Sequence, residues 1–198
     1  ANKPYMTDKD IILGIQNGEE KAFKALVDQY QELVINVCHG FVHNRDDALD
    51  ISQDVFIKAF DSLGQFRGQS KLSTWLYRIA VNRSLNFIRD KKRKNIFSSL
   101  DILFEKNQSN PAEYETNPEE AADRKIEQDE RRKALYQAID SLPKKQKIAI
   151  TLNKLEDLSY KQIAEIMNIS VSETGVLINR ARNKLQTKLL EKLKRQSL

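Results

Sequence analysis

Residues 159–185 read SYKQIAEIMNISVSETGVLINRARNKL, and their order sets the fold of the C-terminal third. Ser159 and Gln162 have the S-x-x-Q spacing of a capping box, in which each side chain satisfies an open N–H of the other's backbone. Ile163, Ala164, Ile166 and Met167 give the helix that follows an apolar face. Asn168 suits a left-handed turn residue, and Ile169 can plug the core beneath it. Ser170 and Glu173 repeat the cap, after which Thr174, Ile178, Ala181 and Leu185 recur at helical spacing. Two capped helices separated by so short a turn predict a helix-turn-helix, whose second helix lies in the DNA major groove. The competing reading is a helical hairpin buried in a core.

Outside this segment the composition narrows the class. The chain has 198 residues, 40% of them hydrophobic, with 6 Gly and 4 Pro. That is enough for one or two small cores, and so few turn formers favour long helices. No apolar run approaches the roughly eighteen residues of a membrane span. Ala1 to Asp10 is polar, so no secretory leader is expected. With Cys38 the one cysteine, no intrachain disulfide can form, and a reducing cytoplasm fits.

The net charge of +5 hides an asymmetry: −1 over residues 1–90, +4 over 91–94, −7 over 95–130 and +9 over 131–198. A basic C-terminal third would bind phosphates by releasing their counterions. The blander reading is a set of solvated helix faces.

Asp8 to Asn17 predicts a short helix with Thr7 as cap. Phe23, Leu26, Val27, Tyr30, Leu33, Val34, Val37, Cys38 and Phe41 carry a second stripe, broken at Asn44 to Asp47. A third helix sets Ala48, Ile51, Val55, Ala59 and Phe60 on its apolar side. After a polar loop, Gln65 to Ser70, a fourth runs from Ser73 to Lys94. Residues 95–123 lose the helical period and read as a linker containing Pro111 and Pro118. The period resumes near Arg124, with Pro143 at a helix start.

No phosphate-binding glycine loop, nucleophile elbow or zinc-type Cys pairing occurs, so the chain is not expected to be an enzyme or to need a cofactor. His39 and His43 stand at i, i+4 beside Cys38, but two histidines without a matching carboxylate do not make a metal site. More informative is Phe66-Arg67-Gly68 with Lys71, followed by Arg78, Asn82, Arg83, Asn86 and Arg89 along one helical face. Aromatics stack on unpaired bases and cations track the backbone, as single-stranded nucleic acid requires. Against this, Phe66 and Trp75 can be core, with arginines that only solubilise. Asp47, Asp50, Gln53, Asp54 and Asp61 project from the third helix. Carboxylates there repel phosphate and suit a basic protein partner, or are simply a solvated acidic face.

These segments together resemble the bacterial extracytoplasmic-function sigma factors, the minimal two-domain specificity subunits of RNA polymerase. Residues 47–56, DALDISQDVF, are similar to the family's polymerase-binding helix, with Asp47, Asp50, Gln53, Asp54 and Phe56 on the matching positions. Phe66-Arg67-Gly68 with STWLYRIA at 73–80 and Asn82 is similar to its promoter-melting segment. Tyr160 to Ile169 with Arg180, Arg182 and Leu185 resembles its helix-turn-helix. The resemblance implies an all-α fold of two helical domains: 8–94 for polymerase binding and the minus-ten element, 95–123 as linker, 124–195 for the minus-thirty-five element. It also implies a base flipped into the 66–71 loop, with Lys71, Arg78, Asn82, Arg83 and Asn86 on melted strand or adjoining duplex. Lys161, Ser172, Gly175, Val176, Asn179, Arg180, Arg182 and Lys184 would meet the upstream duplex. Core RNA polymerase, promoter DNA and an anti-sigma factor are the implied partners, with no membrane insertion.

Gly175, Val176 and Leu177 stand where relatives often carry Lys, Ser or Arg. A glycine in a helix costs about 1 kcal/mol against Ala. Here it is read as letting backbone approach DNA, so that Val176 meets a thymine methyl and Asn179 an adenine edge. Alternatively, the helix gives mainly phosphate contacts through Arg180, Arg182 and Lys184. The linker carries Ile96, Phe97, Leu100, Ile102, Leu103 and Phe104 and has two readings: it threads the polymerase near the RNA exit path, or it packs on the second domain and holds the free chain closed. Two other functions stay open: a stand-alone helix-turn-helix regulator, which leaves the acidic 47–61 face without use, and an adaptor that mimics such a factor to sequester its inhibitor.

Overall fold

A computed structural model describes residues 6–66, 68–104 and 119–196, with backbone alone for 95–104, 119–129 and 193–196. Among the described residues it contains eight helices and no strand: α1 (Asp8–Gln16), α2 (Glu20–Val42), α3 (Arg45–Leu63), α4 (Leu72–Phe104), α5 (Glu119–Asp140), α6 (Lys144–Lys154), α7 (Tyr160–Met167) and α8 (Val171–Gln196). Local chemistry fixes most boundaries. Thr7 and Asp10 form a reciprocal capping box on α1. The Asn44 side-chain Oδ1 accepts from Asp47 N–H at 2.9 Å to open α3. His43, in the left-handed region at φ 60°, ends α2.

In the N-terminal unit, α2, α3 and α4 pack on one another, with α1 against α2 and α3. Phe41, Leu26, Leu63, Leu72 and Leu76 are fully buried between them, alongside Cys38. Burial pushes the Cys38 thiol up to about 11. In the C-terminal unit α5, α6 and α7 each pack on α8 around Leu152, Ile163, Ile178 and Ala181.

Two boundaries differ from the sequence reading. The fourth helix continues past Lys94 to Phe104, and α5 begins at Glu119, so 95–104 and 119–123 are helical where a linker was expected. The apolar period lapses after Ile88 but returns with Ile96, Phe97, Leu100, Leu103 and Phe104 at helical spacing, and no glycine or proline follows until Pro111, so nothing breaks the helix at 94. Pro111, Pro118 and the rest of 105–118 lie outside the described residues, as do the side chains of Ile96, Phe97, Leu100, Ile102, Leu103 and Phe104.

The two units touch. α4 packs on α7 and α2 on α6. Gly40 is buried on α2, where a Cβ would lie 3.3 Å from Thr151 Cγ2 and from Leu155 Cδ1. His43 stacks on Tyr136, with ring centroids 3.8 Å apart and planes at 6°. Lys147, 5% exposed, donates to Asp140 Oδ1 at 2.6 Å and lies 5.9 Å from the Phe41 ring centre. His43 Nε2 approaches the same Asp140 oxygen at 3.4 Å.

Glu156 faces this contact, and its charge acts on Tyr77 and Cys38 across it. Burial, with Asp157 beside it, pushes Glu156 up to about 7 from an ordinary 4.5. A carboxyl raised in the fold is stabilising while protonated, and that contribution is lost as pH rises from 4.5 through about 7. The thermal midpoint is therefore expected to fall between pH 5 and pH 8, by on the order of 2 kcal/mol of stability after allowance for partial exposure. In Glu156→Gln the fall should be abolished, leaving only the opposite, rising contribution of His39, whose pKa burial lowers; an unchanged fall in a pH series of melts would assign it to another group.

Candidate nucleic-acid interface

Three surfaces meet the sequence expectations to different degrees. On α3, Asp50, Gln53 and Asp54 are exposed and recur at three- and four-residue spacing, which puts them on one face. Asp47 is half-buried and accepts from Lys91 Nζ at 2.7 Å, an ion pair to α4. Phe56 does not join this face. It is 7% exposed, packed with Ala48, Ser52, Val55 and Ala59, whereas Phe60, expected in the core, is 52% exposed. At 100° per residue, Phe56 lies within the buried arc and Phe60 rotates to its edge. Phe60 and Ile57 border the acidic stripe, and Phe60 meets Phe23 edge to face at 5.0 Å. With Gly18, Glu19 and Glu20 they line a hollow of about 360 Å³. Sequence reasoning missed Ile57; its place seven residues after Asp50 was the available signal.

The second surface is the loop and the start of α4. Phe66 is half-buried, with its ring tilted 52° to Trp75 at 5.2 Å, so it is shared between packing and solvent. Gly68, at φ +67°, takes a left-handed conformation that a side chain would strain. Lys71, Asn82 and Asn86 are exposed and Arg83 is half-buried; Arg67 lies outside the described residues. Arg78 is engaged elsewhere: its Nη2 donates to Glu165 O at 2.6 Å and its Nε to Ile166 O at 3.2 Å. These carbonyls belong to the last turn of α7, whose negative helix end attracts a cation; Glu165 O also accepts from Asn168 N–H at 3.4 Å.

The third surface is the helix-turn-helix, in which the first expected capping box is complete and the second is represented by its Ser170 half. Ser159 N–H donates to Gln162 Oε1 at 3.0 Å, and Ser159 Oγ accepts from Gln162 N–H at 3.4 Å. Asn168 takes the left-handed conformation, φ 54°, that closes α7. Ser170 Oγ accepts from Glu173 N–H at 3.0 Å, while the Glu173 carboxylate pairs with Lys145 at 3.2 Å. Along α8, Thr174, Leu177, Ile178 and Ala181 are buried. Ser172, Val176 and Asn179 face away from them, and Asn183, which sequence reasoning missed, continues that face. Arg180, Lys184 and Lys161 are exposed; Arg182 Nη2 donates to Asn153 Oδ1 at 3.3 Å.

At Gly175 a Cβ would lie 3.7 Å from the Tyr160 ring, an ordinary contact. Gly175→Ala is thus expected to stabilise the chain by about 1 kcal/mol, raising the midpoint by about 2–4 °C. If this backbone approaches DNA, the same change weakens binding to upstream promoter duplex severalfold. Paired melting and duplex-titration measurements separate the two effects, and unchanged affinity would remove the close-approach reading.

Among the described residues, no group of three or more His, Cys, Asp or Glu side chains is placed to hold a metal ion, and no helix is long and apolar enough to cross a membrane.

Comparison with known proteins matches two stretches of the chain to family models. Sigma-70 region 2 matches residues 26–94 and Sigma-70, region 4 matches residues 132–185. The ECF RNA polymerase sigma-E factor of Escherichia coli (strain K12) is 36% identical over 192 residues, covering 96% of this chain and 98% of its own. The protein of that name from Haemophilus influenzae is 36% identical over 184 residues, 93% of this chain and 96% of its own. Among solved structures, CnrH in complex with the cytosolic domain of CnrY shares the fold, with a TM-score of 0.60 and 20% identity over 92% of this chain and 96% of that one. The sigma factor RpoE of Bartonella quintana, in complex with the anti-sigma factor NepR, aligns with a TM-score of 0.56 at 24% identity, covering 85% and 97%. Matched at both regions and along nearly its whole length, the chain belongs to the extracytoplasmic-function family of RNA polymerase sigma factors.

Proposed function

We propose that this chain works in the bacterial cytoplasm, giving core RNA polymerase its choice of promoter and helping to melt the DNA there. In this reading residues 8–94 form the polymerase-binding and minus-ten domain and 124–195 the minus-thirty-five domain. The observation that carries it is the segregation of three surfaces within one chain. The acidic Asp50–Gln53–Asp54 face suits a basic protein helix. The loop from Phe66 to Lys71, with Asn82, Arg83 and Asn86 beyond it, suits a melted strand. The α8 face of Ser172, Val176, Asn179 and Asn183, flanked by Arg180, suits a major groove. The structure of similar fold in which the sigma factor RpoE is bound to the anti-sigma factor NepR supports an anti-sigma partner for this chain as well.

Start-site mapping on fragmented genomic DNA, with purified core polymerase and this chain, tests the reading. Starts that depend on the chain and share two upstream sequence elements are expected. Tight binding to duplex without any dependent start would instead favour the stand-alone regulator.

A further inference from the structure

The outward side of α8 is sorted by charge. At about 100° per residue, Ser172, Val176, Asn179 and Asn183 fall within an arc of about 60°, opposite the buried Thr174, Ile178 and Ala181. All four are exposed, and none carries a charge. Val176 is 46% exposed, an apolar side chain left in water at the middle of the face. The cations stand outside the arc, with Arg180 about 40° beyond Val176 and Arg182 about 60° beyond Asn179. Glu173, the acidic residue of the first turn, is bound to Lys145 of α6 at 3.2 Å.

A helix seated in the major groove turns the middle of its outer arc to base edges and its flanks to the phosphate walls. Arg180 on one flank and Arg182 on the other therefore suit phosphates, which fix register without reading sequence. The middle holds no Arg or Lys, the side chains that grip guanine O6 and N7, and Glu173, which could accept from cytosine N4, is turned to Lys145. It holds instead Asn179, whose carboxamide matches adenine N6 and N7, and Val176, whose methyls suit the thymine methyl. The two lie in the N-terminal half of α8, the part of a recognition helix that meets base edges.

We infer that α8 selects A·T pairs in the upstream element: Asn179 takes an adenine and Val176 a thymine methyl, with guanine disfavoured at both positions. Three residues of helix rise about 4.5 Å and one base pair about 3.4 Å, so the two positions are one or two base pairs apart. The inference rests on the reading of 124–195 as the minus-thirty-five domain and goes beyond it by naming the bases and the side chains that choose them.

The test uses the full chain with core polymerase on a dependent promoter from the start-site mapping, its upstream element randomised and the transcribed templates sequenced. Adenine at one position and thymine at its near neighbour are expected to exceed guanine by at least about fivefold. Asn179→Ala should flatten the adenine position alone, and Val176→Arg should turn the thymine position to guanine. Arg180→Ala should lower transcription on all templates alike and leave the base preference as it was. A guanine-specified element in the unaltered chain would overturn the inference. So would a thymine position indifferent to Val176→Arg, or a preference lost in Arg180→Ala and kept in Asn179→Ala. If mapping gives no chain-dependent start, the sigma-factor reading fails by itself; selection of randomised duplex by the full chain alone, with the same variants, then decides the base preference.

Discussion

Reversing Asp50 and Asp54 to Arg is expected to lower promoter-directed initiation by at least about a hundredfold while the melting temperature stays within a few degrees. Both side chains are exposed on α3 and belong to neither core, and exposed substitutions of this kind change stability by about 0.5 kcal/mol or less. Binding is another matter. Like charges set face to face across an interface cost several kcal/mol, and close charge pairs couple by about 1.5–7 kcal/mol. Three kcal/mol alone exceeds a hundredfold. Adding Gln53→Ala should cost less, since it introduces no repulsion. The check is initiation at fixed polymerase with increasing variant; full rescue at modest excess would show that the face contributes little to docking.

Asp140→Ala is expected to lower stability by about 2 kcal/mol, or roughly 4–8 °C for a chain of this size. Lys147 is 5% exposed, and its ammonium donates to Asp140 at 2.6 Å. Removing the carboxylate leaves a buried cation facing the Phe41 ring, a contact too weak to replace an ion pair. A fully buried pair broken this way costs about 3–5 kcal/mol; the Asp140 side chain is 44% exposed, so water reaches the site and the figure is smaller. The chain has a second way out. If the N-terminal unit swings away from α6, Lys147 regains water, so the loss is capped by the energy of opening. Asp140→Ala with Lys147→Met, which removes both charges, should recover most of the stability; a double variant as unstable as the single would assign the loss to Asp140 alone.

The parts of this architecture that rest on local chemistry were legible in the sequence. The Ser159–Gln162 box, the left-handed Asn168 and the Thr7 cap are interactions within four residues, and each is present as read. Errors arose where local pattern underdetermines geometry. Phe56 and Phe60 are both aromatic and lie at the margin of one stripe, so a modest rotation of α3 decides which is buried. The fourth helix runs on because no breaker follows Lys94 and because Ile96, Phe97, Leu100, Leu103 and Phe104 recur at helical spacing, a pattern the linker reading passed over. The contact between units was invisible for a different reason. Arg78 finds its partners 87 and 88 residues away, and His39 and His43, considered as a metal pair, gave no hint that His43 would stack on Tyr136.

The most direct measurement is permanganate footprinting of one dependent promoter, with the chain and core polymerase added separately and together. Reactive, unpaired thymines at the minus-ten element are expected only when both are present, and should weaken in Phe66→Ala. Thymines that remain paired in the complete mixture, on DNA the chain alone still protects, would contradict promoter melting and leave a duplex-binding regulator in its place.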